Sequence, residues 1–224
     1  CIRDSMNTGT PELREAICAK LKRDNGLDYT LAQIICSNGA KQSVGFSLLA
    51  MVNPGDEVII PAPYWVSYPA MTQLAQGKPV PVRTSFEHNF RLIPEQLEEA
   101  ITDKTRVLIL CSPSNPTGSC YSKQDLEGLA EVLRRYPNIS IISDEIYEYI
   151  VFDEEHISLL NVAPDLKDRV ALINGFSKGF AMTGWRLGYL AGPEELVKAV
   201  SKIQSHETSA PSSISQAAGF AAYS

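Results

Sequence analysis

Apolar residues along this chain gather in short runs separated by stretches of helical spacing. The runs are Ile34-Ile35-Cys36, Val58-Ile59-Ile60, Val80 to Val82, Arg106 to Cys111, Ile139 to Ser143, Val170 to Asn174 and Leu187 to Ala191. They hardly alternate with polar residues, which predicts strands buried on both faces. Between them the period changes. Leu13, Ile17 and Leu21 recur one helical turn apart, behind a capping Thr10 and Pro11 and ahead of a stop at Asn25-Gly26. Further helices are predicted over 41–52, 66–76 and 94–101. Another runs from Ser122 to Arg135, with Asp125 placed for a capping box, and a long one starts near Pro193. Strand and helix in alternation predict an α/β fold of three αβα layers around a mostly parallel central sheet. Ligands of such sheets bind at the loops leaving the carboxyl ends of the strands, so chemistry is expected there.

Composition narrows the field by exclusion. The 224 residues are 44% hydrophobic and 21% charged, which is enough apolar material for a sizeable core. A net charge of -6 offers no basic face for nucleic acid. No apolar run approaches the ~20 residues needed to cross a bilayer, so a membrane role is not expected. The five cysteines (Cys1, Cys18, Cys36, Cys111, Cys120) are odd in number and widely spaced, and His88, His156 and His206 look scattered. No metal site is expected from that pattern, and the cysteines read as reduced and packed, as in an intracellular protein. The chain opens at Cys1, without Met or a targeting segment, and its last helical pattern still runs at Ser224. It therefore reads as a piece of a longer protein.

Six loop segments stand out at the predicted strand ends: Ser37-Asn38-Gly39-Ala40-Lys41, Pro63-Tyr64-Trp65, Ser114-Asn115-Pro116-Thr117-Gly118, Ser143-Asp144-Glu145-Ile146-Tyr147, Gly175-Phe176-Ser177-Lys178 and Met182-Thr183-Gly184-Trp185-Arg186. In this order they resemble the fold-type I pyridoxal-phosphate enzymes, in particular the class I aminotransferases related to aspartate aminotransferase. The likeness runs from about Thr10 to the end of the chain.

That resemblance implies that residues 1–224 are most of a large domain that binds pyridoxal 5'-phosphate (PLP). It implies an enzyme that moves an amino group between an acidic amino acid and a 2-oxo acid. Lys178 would form the Schiff base and carry the proton, a role that needs an amine able to lose its charge in a desolvated site. Asp144 would pair with the pyridine nitrogen, Tyr147 and Asn115 would reach the ring oxygen, and Asn115 and Trp65 would also meet substrate. Trp65 would stack on the ring. Gly39, Ala40 and Lys41, opening a helix, would receive the phosphate together with Arg186 and Ser177. A cis bond is expected between Asn115 and Pro116.

Each residue also has a plainer reading: a solvated surface lysine for Lys178, a helix cap for Asp144, core packing for Tyr147 and Trp65, a turn for Asn115 and Gly39, a surface ion pair for Arg186. Residues 37–43 and 62–68 look most like the relatives that act on prephenate, where Lys41 would face the distal carboxylate of an acidic substrate. The family's phosphate-binding tyrosine is missing where Asp4 stands. The arginine for the substrate α-carboxylate belongs to a C-terminal small domain, so this chain is expected to transaminate poorly by itself. The complete protein is expected to be a homodimer, in the cytoplasm, or in the plastid stroma of a photosynthetic eukaryote. A lyase or synthase of the same fold, or a non-catalytic PLP-binding protein, are the competing readings.

Overall fold

The computed structural model describes residues 6–152 and 155–224; Cys1 and Asp4 lie outside them. The elements follow in the order α1 (Pro11–Asn25), β1 (Ile34–Ser37), α2 (Ala40–Met51), β2 (Glu57–Ala62), α3 (Ser67–Leu74), β3 (Lys78–Arg83), α4 (Pro94–Ala100), β4 (Thr105–Cys111), α5 (Lys123–Arg135), β5 (Ser140–Asp144), α6 (Leu159–Val162), β6 (Val170–Gly175), β7 (Gly188–Ala191), α7 (Glu194–Glu207) and α8 (Ser213–Tyr223). Local chemistry sets the boundaries. Thr10 accepts from the Leu13 N–H to start α1, and Gly26, in the left-handed region, ends it. Ser122 and Asp125 form the capping box expected for α5. The long final helix, by contrast, is two. Ser209 turns into the left-handed region and Pro211 follows, so α7 stops at Glu207 and α8 begins afresh.

The seven strands form one sheet in the order β1-β7-β6-β5-β4-β2-β3. Neighbours from β3 to β6 are parallel, while β7 runs antiparallel to both β6 and β1. Adjacent strand residues serve opposite layers. Ile34, Leu108, Leu110, Ile141 and Leu172 join the core shared with α1, α4, α5, α6 and α8. Ile35, Val107, Ile109, Ile142 and Ile173 join the core under α2, α3 and α7. This is the three-layer α/β arrangement that the apolar runs predict, because both faces of every central strand are covered.

The direction of β7 decides which loops share an edge of the sheet. Ser37 of β1 and Gly175 of β6 are both in register with Gly188, the first residue of β7. Residues just before β7 therefore emerge at the same sheet edge as residues just after the other strands. Cys111 pairs with Asp144, which places the ends of β4 and β5 at that edge as well.

Candidate active site at the strand ends

A cleft of about 520 Å³ opens at this edge. Of the ten residues predicted for the site, Ala40, Lys41, Trp65, Asn115, Asp144, Tyr147, Ser177, Lys178 and Arg186 line it. The tenth, Gly39, lies against one of them. A larger hollow of about 670 Å³ adjoins it, sharing Asn115 and Tyr147, but its lining holds no charged side chain. The titratable groups converge on the smaller cleft, which is the stronger candidate for chemistry.

Asp144 forms the floor and is 4% exposed. Its Oδ2 accepts from the Tyr68 hydroxyl at 2.7 Å and its Oδ1 from the Ile146 N–H at 3.3 Å. The plain reading of Asp144 as a turn cap is thus realised by one oxygen, while the other is held by a tyrosine. Burial pushes its pKa up to about 6, against the opposing pull of these two hydrogen bonds. Among the described residues it has no ion-pair partner. A buried carboxylate held by two donors and no cation suits a cationic group brought in from outside.

Sequence reasoning passed over Tyr68. It is 2% exposed and sits edge-on to Trp65, with ring centres 5.4 Å apart. The signal was present: Tyr68 is three residues after Trp65, and the turn leading into α3, closed by the Tyr68 N–H on the Trp65 carbonyl at 3.0 Å, brings the two to the same side.

The opposite corner is positive. Gly39 is the N-cap of α2, with φ 88°, and the first N–H groups of that helix have no partners within it. Arg186, itself left-handed at φ 52°, donates to the carbonyls of Thr183 at 2.8 Å and Asn38 at 3.1 Å. A side chain on Gly39 would place its Cβ 2.2 Å from Arg186 Nη2, so only glycine lets the guanidinium lie across the helix start. Arg186 is exposed and has no carboxylate partner among the described residues, so the surface ion pair expected by the plain reading is not formed. Ser177 is buried beside this corner. An anion with several acceptor oxygens fits such a set of donors.

Lys178 lines the cleft with its side chain open to solvent, as its plainer reading has it. Its predicted role calls for a desolvated setting, yet its side chain is exposed, with Nζ 5.4 Å from the centre of the Tyr147 ring. Lys41 Nζ lies 4.9 Å from the centre of the Trp65 ring, a cation over the face of a half-buried indole. Asn115 Nδ2 reaches Tyr147 Oη at 3.5 Å, and the Asn115–Pro116 bond is cis. Ala62–Pro63 and Ser112–Pro113 are cis too, which the sequence pattern does not reveal.

Residues 5–224 match the family model for aminotransferase class I and II, and the chain belongs to that family. Similar proteins carry more particular names. A bifunctional aspartate aminotransferase and glutamate/aspartate-prephenate aminotransferase of Petunia hybrida is 56% identical over 98% of this chain and 46% of its own length. An aspartate/prephenate aminotransferase of Cereibacter sphaeroides is 52% identical over 96% of this chain and 54% of its own. Among solved structures, aspartate aminotransferase from Rhizobium meliloti matches with a TM-score of 0.97 and 47% identity, covering 99% of this chain and 56% of that one. The Thermus thermophilus enzyme, solved with maleate, matches at 0.95 and 41%, covering 99% and 57%. The chain spans about half the length of the curated relatives it matches.

Proposed function

We propose that this chain holds pyridoxal 5'-phosphate in the cleft, and that the protein to which it belongs transfers an amino group between aspartate or glutamate and a 2-oxo acid, prephenate among them. The observation that carries the reading is the pairing of opposites in one cleft. Among the described residues, a buried carboxylate without a cation, Asp144, lies at the floor, and a helix start with an arginine that meets no carboxylate, Arg186, lies at a corner. A flat group with a basic ring nitrogen and a phosphate satisfies both.

The residues divide the work accordingly. Asp144 keeps the ring nitrogen protonated, with Tyr68 and the Ile146 N–H holding its oxygens in place. Asn115 and Tyr147, already within 3.5 Å of one another, hold the ring oxygen. Trp65 covers the ring face, and Arg186, Ser177 and residues 39–41 grip the phosphate. Lys178 would hold the cofactor's aldehyde end and would move a proton at the substrate α-carbon. Bound PLP supplies an electron sink for the negative charge left when that proton departs. The support for acidic substrates is Lys41, whose ammonium at the rim can meet a second carboxylate, together with the names of relatives at 52–56% identity. The complete protein is proposed to act as a homodimer.

The test is to add PLP to the full-length protein, reduce with borohydride, and map the modified peptide by mass spectrometry. Label on Lys178, with 2-oxoglutarate formed from glutamate, is expected. Label elsewhere sinks the assignment of Lys178. Release of ammonia without amino transfer points instead to a lyase of the same fold.

A further inference from the structure

The segment that presents Asp144 and Tyr147 to the cleft also carries two carboxylates that do not line it. Glu145 and Glu148 are 1% and 6% exposed and belong to a polar cluster behind the cleft. One Glu145 oxygen accepts from the hydroxyls of Ser143 at 2.8 Å and Ser158 at 2.7 Å. The other faces His156 Nε2 at 3.0 Å. Glu148 is ion-paired with Lys20 of α1, whose side chain is wholly buried, and accepts from Asn25 Nδ2 at 3.0 Å. Lys20 also donates to Asn25 Oδ1 at 2.8 Å. The end of β5 is thereby tied on one side to α1 and on the other to the N-cap of α6, Ser158.

In the sequence His156 is one of three scattered histidines; folding brings it to two glutamates. Ligand atoms of Glu145, Glu148 and His156 lie within 4.8 Å of one another. Both carboxylates are nonetheless already engaged by protein donors, and Lys20 supplies compensating charge, whereas His156 Nδ1 is buried without a hydrogen-bond partner among the described residues. Stability does not explain the cluster. Burying ions costs several kcal/mol each, and apolar replacements of buried pairs are often neutral or better. What the cluster does achieve is to fix the main chain of residues 144–148.

We propose that Glu145 and His156, backed by Glu148 and Lys20, are positioning residues that set Asp144 and Tyr147 in place for the cofactor, with His156 as the member whose charge can change. This rests on the reading of the cleft as a PLP site. Burial pulls the His156 pKa down, but its hydrogen bond and charge attraction to Glu145 outweigh that and leave it raised. The other groups that face the pair are Glu148 from the turn, Lys20 from α1 and the Tyr29 hydroxyl, which is buried near Glu145. A raised folded-state value means that the ion pair is complete below the ordinary histidine pKa and is lost as pH rises through the folded one. The link then weakens to a neutral hydrogen bond.

The experiment uses the full-length protein, with PLP affinity measured by absorbance from pH 6 to 9 for wild type, His156→Ala, His156→Gln and Glu145→Gln. Misplacing a reacting group by about 1 Å costs on the order of 100-fold in turnover. His156→Ala and Glu145→Gln should therefore lose tenfold or more in kcat as well as binding PLP more weakly. His156→Gln keeps a donor without the charge. It should restore affinity while losing the wild-type weakening of PLP binding as pH rises. Leu160→Ala, a core truncation in α6 outside the cluster, controls for lowered stability and should leave PLP binding unchanged in folded protein. Equal PLP affinity in wild type and His156→Ala, or an equal loss in Leu160→Ala, overturns the proposal. Failure of wild type itself to bind PLP overturns the cofactor reading instead.

Discussion

Replacing Asp144 by Asn should stabilise the PLP-free protein while weakening its hold on PLP. Asp144 has no cation beside it, and burial raises its pKa from 3.8 to about 6. The folded state therefore binds this proton more tightly than the unfolded chain does, so ionising Asp144 destabilises the fold as pH climbs between those values. A rise of about two pH units amounts to about 3 kcal/mol above pH 7, of which roughly half is already present at pH 5. Asn has nearly the same shape, can accept from the Tyr68 hydroxyl and the Ile146 N–H, and does not titrate. Urea unfolding of PLP-free wild type and Asp144→Asn should diverge with pH. The Asn protein should gain about 1.4 kcal/mol on wild type between pH 5 and pH 8, a factor of about ten in the unfolding constant. Groups such as His156 titrate in both proteins and cancel in the difference. Saturating PLP should reverse the order, because only wild type offers the ring nitrogen a counter-charge. A stability difference that stays flat with pH, or equal PLP affinity in the two proteins, would refute this account of Asp144.

Three further outcomes rest on the same geometry. Tyr68→Phe removes a hydrogen bond to a buried carboxylate, worth about 1.5–3 kcal/mol. The pH below which PLP affinity falls should move up by about one to two units, as read from binding curves at a series of pH values. Gly39→Ala puts a methyl on the Arg186 guanidinium at a backbone φ of 88°. It should lower stability by about 1–3 kcal/mol and abolish competition between inorganic phosphate and PLP; an unchanged phosphate effect would clear Gly39 of any part in the anion corner. Lys41→Ala in the full-length protein should raise KM for glutamate or aspartate far more than for a neutral donor, and equal changes would confine Lys41 to the cofactor or the fold.

Much of this was legible in the chain because the strand runs are apolar on both faces and each loop motif comes directly after a strand. Gly39, Asp144 and Lys178 could be placed at one edge from that alone. What was not legible depends on contacts between distant segments. Tyr68 meets Asp144 across 76 residues, and Lys20 meets Glu148 across 128. No periodicity reports a partner so far away. The sequence left the exposure of Lys178 open for a different reason: a loop motif says which side chains converge, and says nothing of how far solvent reaches them. The reversal of β7 escaped because four apolar residues read the same in either direction.

That reversal makes the stretch from Gly175 to Gly188 a closed loop with both feet on one rung of the sheet, Gly175 against Gly188. Lys178 and Arg186 ride on the same loop, so the amine and the anion grip move as one body rather than as neighbours from separate strands. The loop also has a seat. A Cβ on Gly188 would come within 2.4 Å of the Ala40 nitrogen, so the helix start that faces the anion rests directly on the loop's foot. The gap between these two parts of the cleft is thus too narrow for even one methyl group, and any side chain at Gly188 would wedge the helix away from the lysine and arginine together.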